Sequence, residues 1–115
     1  MLRYELMFFA AGLLVTGLGM PLKQRRVAPN PWYGLRLPAT AASESVWYDA
    51  NEATGRDFVR LGIIQLFVAA TALLATIPQP IYVGANLVTI VAGAMVVTSV
   101  GVSRANRLLR ESRER

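Results

Sequence analysis

Neither cysteine nor histidine occurs among the 115 residues. Disulfides, thiolate chemistry, imidazole catalysis and the usual zinc sites are thereby excluded. Charge is scarce as well, at 17% of residues, and Lys23 is the only lysine. There is no Walker loop, no GxSxG and no HExxH. Ser43 and Ser45 have no histidine to activate them, and Lys23 stands across a proline-rich stretch, so no nucleophilic dyad is assembled. The run "DANEATG" offers Asp49, Asn51 and Glu52 in the manner of a calcium loop. Ala53 and Thr54, however, occupy the positions of the third oxygen ligand and the turn glycine. These absences lead us to expect a non-enzymatic chain with no cofactor and no metal.

What is abundant is apolar surface: 54% of residues are hydrophobic and the mean hydropathy is +0.40, far above an ordinary soluble domain of this length. The charges leave two long gaps, Leu6 to Leu22 and Leu61 to Ser103. At the α-helical rise the first gap is about 26 Å long, close to the ~30 Å hydrocarbon core once its flanks are added. The second is roughly twice what one crossing needs and is broken by Pro78-Gln79-Pro80. The sequence therefore predicts an all-α membrane protein with three transmembrane helices, about 4–22, 57–77 and 81–104. A polar loop over 23–56 and a basic tail over 105–115 complete a single domain. The first span carries only Arg3 ahead of it, offset by Glu5, and lacks a small-residue cleavage site, so it reads as a mature helix and not a signal peptide.

Six of the twelve basic residues lie in 23–60 and five after Ser103. The positive-inside rule puts both segments in the cytoplasm and the N-terminus and the Pro-Gln-Pro hairpin outside, as in a bacterial inner-membrane protein. Topology and anionic lipid account for the basic balance without nucleic acid. Within the spans, Gly12 and Gly17 of the first helix, and Ala85, Thr89, Gly93, Val97 and Gly101 at a spacing of four in the third, form small-residue faces for close packing. Those faces suit packing within one chain, in a homo-oligomer or against another protein. Gln65 and Asn86, the only amides in the spans, suit an interhelical or interfacial hydrogen bond.

The loop is the most informative stretch. Pro29, Pro31 and Pro38 exclude regular helix from 27–39, and Gly34 offers a positive φ between them. Beyond Pro38, Thr40 or Ser43 can cap a short amphipathic helix to about Thr54, with Gly55 as its stop. Ser43, Trp47 and Asn51 share one face of it, and Val46, Trp47 and Ala50 give it an apolar side for the bilayer surface. Asp49 and Glu52 face water, while Trp32, Tyr33, Trp47 and Tyr48 suit the headgroup zone.

The run "PNPWYGLRLPATAASESVWYDANEATG" resembles the cytoplasmic signature of the SdpI family, bacterial membrane proteins of immunity to a secreted killing factor. Asn30, Gly34, Arg36, Pro38, Thr40, Ser43, Trp47, Asn51 and Gly55 carry the resemblance in order and spacing. Leu37 departs from it, standing where the family pattern has Thr. Longer members of the family carry additional spans before this unit. The resemblance implies a small helical module that protects its host from a membrane-active peptide or signals through a cytoplasmic surface. In the picture expected here, Gly34 turns the loop back so that Arg36 stacks on Trp47 beside Asn51, capping the helices, unless Arg36 serves a headgroup phosphate instead. A different role, accessory subunit of a larger membrane complex, suits the same glycine-striped helices.

Overall fold

A computed structural model of the chain describes residues 2–114. Among them are four helices and no strand: α1, Leu2–Lys23; α2, Pro38–Ala42; α3, Glu44–Leu74; and α4, Gln79–Glu114. Helices α1, α3 and α4 are long and apolar enough to cross a membrane. The molecule is elongated, 56 × 22 × 20 Å. Helix α3 is its axis: α1 and α4 both lie along α3 and scarcely touch each other.

Glycine sets the α1–α3 contact. A Cβ on Gly55 would stand 2.5 Å from the Lys23 nitrogen and 2.7 Å from the Gly19 oxygen, and one on Gly62 would stand 2.8 Å from the Gly12 oxygen. In lipid, where helix association depends on close van der Waals contact, these positions admit no side chain. Gly55 is therefore not a helix stop. It keeps a helical backbone, Gly34 being the glycine with positive φ, and α3 runs through it for 31 residues. The expected surface helix becomes the short α2 plus the first turns of α3. Its apolar side is turned inward, with Val46 and Trp47 each 2% exposed and Ala50 fully buried.

The α3–α4 contact is polar at its hairpin end. The Gln65 amide donates to Asn86 Oδ1 at 2.9 Å, the Asn86 amide to the Tyr82 carbonyl at 2.9 Å, and the Tyr82 hydroxyl to the Ala69 carbonyl at 2.9 Å. The Phe8 ring meets that of Tyr82 edge-on at 5.9 Å. Nearer the other end, Gly93 faces Leu61 and Gly101 faces Thr54 and Leu35. Ala85 is exposed, Thr89 donates within its own helix to the Ala85 carbonyl, and Gly17 meets no neighbour. From Gly93 the spacing of four does hold the contact, through Val97, Gly101 and Ala105, whereas at the hairpin end the buried Tyr82 and Asn86, one residue out of that register, stand in place of Ala85 and Thr89. Tyr82, Asn86, Gly93, Val97, Gly101 and Ala105 follow the true contact face.

Candidate functional site: the folded loop

Helix α1 ends in a Schellman turn. The Arg26 N–H donates to the Pro21 carbonyl at 3.0 Å and the Arg25 N–H to that of Leu22 at 3.1 Å, with Arg25 at φ 59° where glycine is usual. This conformation carries the Arg25 guanidinium to α3, where it donates to Asp49 at 2.9 Å and Glu52 at 2.8 Å and lies 5.3 Å over the Tyr48 ring. The hydrogen bond to Asp49, then that to Glu52, raises its pKa further. Asp49 and Glu52 thus grip the start of the loop. Their partner lies more than twenty residues earlier, and nothing in the local pattern announces it.

Asn30 then ties the following turn. Its Oδ1 accepts from the Trp32 and Tyr33 N–H groups at 2.8 and 2.7 Å, and its amide donates to the Ala28 and Tyr33 carbonyls at 2.8 and 3.1 Å. An Asn side chain of this reach replaces the backbone ladder that Pro29 and Pro31 forbid. The Tyr33 hydroxyl donates to the Leu18 carbonyl, and burial raises the pKa of that phenol. Gly34, at φ 109°, brings the backbone onto α3, where a Cβ would stand 3.0 Å from Asn51 Oδ1 and 3.2 Å from Trp47 Cη2.

Trp47 and Asn51, one turn apart and each 2% exposed, hold the two ends of the loop. Trp47 Nε1 donates to the Val27 carbonyl at 2.8 Å. Asn51 Oδ1 accepts from the Leu35 N–H at 2.6 Å, and its amide donates to the Trp47 carbonyl at 3.0 Å. Pro38 opens α2 at a position where its missing N–H costs nothing. The Thr40 hydroxyl accepts from the Leu37 N–H and donates to the Leu35 carbonyl, both at 2.9 Å. Ser43 caps α3, accepting from the Val46 N–H at 3.4 Å.

Arg36 is the exception among the motif residues. Its guanidinium donates to the Pro31 carbonyl and does not stack on Trp47; the cation over a ring is Arg25. Arg36 is exposed and forms no ion pair among the described residues. Two clefts meet at it, one lined by the prolines and Trp47, the other running between α1, α3 and α4. Trp32, at 86% exposure, also projects from the loop.

Below the loop a half-buried ion pair joins α3 to α4: Arg104 to Asp57 at 3.1 Å, with Arg60 3.6 Å from the same carboxylate. Arg60 and Arg104 bracket the long uncharged gap in sequence, and Asp57, one turn before Arg60, carries no local sign of its pairing with Arg104. In the tail, Arg107 approaches Glu111 at 3.9 Å, one turn away.

Three spanning helices with a hydrogen-bonded polar cap at one end define a small multi-pass membrane protein. The SdpI/YfhL protein family model matches residues 26–103, and the chain belongs to that family. The match takes in the loop from Arg26 onward, α2, α3 and α4 as far as Ser103. Comparison with curated proteins and with solved structures gives no match.

Proposed function

We propose that this chain is a non-catalytic, SdpI-type immunity or signalling protein of the bacterial inner membrane. Its working surface is the folded loop, with Arg36 as the contacting group. One observation carries this reading: the motif residues close hydrogen bonds among themselves and with the helices, while Arg36 alone of them leaves a charge exposed and unpaired. A cation so placed, within a loop whose other motif residues are engaged in holding it, is available for contact. Eleven of the twelve Lys and Arg residues lie at the loop and tail, which supports a cytoplasmic cap and an outside N-terminus and hairpin.

The test is expression of the chain alone in cells challenged with a depolarising, membrane-active peptide. Survival is expected to rise, and Arg36→Ala is expected to abolish the gain at unchanged membrane abundance. No change in survival on expression of the native chain contradicts the immunity reading.

A second reading, accessory subunit of a larger membrane complex, is favoured by α4, whose most apolar window is only 6% buried. Mild-detergent extraction and native mass spectrometry separate the two readings. A subunit travels with a large assembly; an immunity protein appears alone or as a small homo-oligomer.

A further inference from the structure

Because α1 and α4 lean on α3 and meet each other chiefly at the hairpin end, through Phe8 and Tyr82, a cleft of about 360 Å³ opens between the three helices toward the loop, with residues 33–36 as its loop-end wall. That volume lies within the range of about 300–1,000 Å³ typical of small-molecule sites. Val15, Leu18 and Phe58 give the cleft apolar walls, and Arg36 lines it from the loop. Thr54 lines it too; this residue is 1% exposed and its hydroxyl has no hydrogen-bond partner. The ligand that fits needs an apolar chain for the walls and an anionic group for an unpaired guanidinium. Arg can engage a phosphate through two parallel N–H donors, and phosphate is the anion that the surrounding lipid supplies.

We infer that this cleft binds one acyl chain of an anionic phospholipid, with the headgroup phosphate on Arg36. The inference rests on the membrane-spanning character of the helices and not on the immunity reading. It makes the loop a lipid-sensing element as well as a cap, because the occupant touches α1, α4 and residues 33–36 together.

The experiment is native mass spectrometry of the full chain in mild detergent. Phosphatidylglycerol and diacylglycerol of identical chains, alike but for the phosphate headgroup, are offered in equal amounts. The native chain is expected to retain phosphatidylglycerol about tenfold over diacylglycerol, the order a charge-assisted contact supplies. Arg36→Gln is expected to bring that ratio close to one, and Thr98→Trp, filling the cleft from an exposed position, to lower retention of both lipids. Added inorganic phosphate is expected to leave the bound lipid in place. Equal retention of the two lipids by the native chain, an unchanged ratio in Arg36→Gln, or displacement by inorganic phosphate overturns the inference.

Discussion

At the scale of single residues, the loop is held by side chains that substitute for backbone ladders. Asn51 is the clearest case. Removing its side chain strands the Leu35 N–H, for which the cost is about 1–3 kcal/mol when a buried donor is left without a partner. Asn51→Ala is therefore expected to lower the thermal midpoint in detergent, while Arg36→Gln, at an exposed and unpaired position, leaves it unchanged. Arg25 offers a sharper comparison, because its left-handed φ favours glycine whereas its guanidinium contacts require arginine. Arg25→Ala loses the contacts and keeps the strained conformation; Arg25→Gly loses the contacts but relieves the backbone. A non-glycine residue in this region costs about 1–2 kcal/mol, so the alanine variant is expected to melt below the glycine variant. Equal melting of the two contradicts the Schellman assignment.

Among helices, the sequence announces the spans and conceals their contacts. Two uncharged gaps and a Pro-Gln-Pro break suffice to place three crossings, since the bilayer tolerates little else. Gly55 is harder to read, because a glycine that ends a helix and a glycine that admits a neighbour look alike until the neighbour is known. Gly62 has the same role and no local signal. The small-residue stripe of α4 meets its neighbours at Gly93 and Gly101, while at the hairpin end the larger Tyr82 and Asn86 take the buried positions beside Ala85 and Thr89. Similarly, Asp49 and Glu52 resemble a solvated face until the end of α1 supplies Arg25. A prediction belongs to this scale: Gly55→Val forces a side chain into the Lys23 and Gly19 backbone and is expected to destabilise by about 1–3 kcal/mol or more. Gly17→Val, which meets no neighbour, has no such effect. The two are read by thermal unfolding in the same detergent. Gln65→Leu, by contrast, removes an interhelical hydrogen bond that in membrane proteins averages about 0.6 kcal/mol, and a correspondingly small shift is expected.

For the molecule as a whole, the architecture separates two tasks. The hairpin end is locked by Gln65, Asn86, Tyr82 and Phe8, whereas the opposite end is finished by a loop that would otherwise leave a ring of unpaired backbone groups. Folding that loop onto α3 satisfies those groups and leaves Arg36 facing outward beside an apolar cleft. The family resemblance carried by Asn30, Gly34, Pro38, Thr40, Ser43, Trp47, Asn51 and Gly55 is thus a resemblance of construction, and Arg36 is the residue it sets out for contact. The expected stacking of Arg36 on Trp47 failed for a simple reason: the indole is already enclosed by Gly34 and tied to Val27.

That division between the residues that build the loop and Arg36, which it displays, is tested most directly by hydrogen–deuterium exchange across residues 27–37 in the native chain, Asn51→Ala and Arg36→Gln. The amides of Tyr33, Leu35 and Leu37 are expected to be protected in the native chain and in Arg36→Gln, and to exchange freely in Asn51→Ala. Rapid exchange of these amides in the native chain, or loss of protection in Arg36→Gln equal to that in Asn51→Ala, would contradict the account.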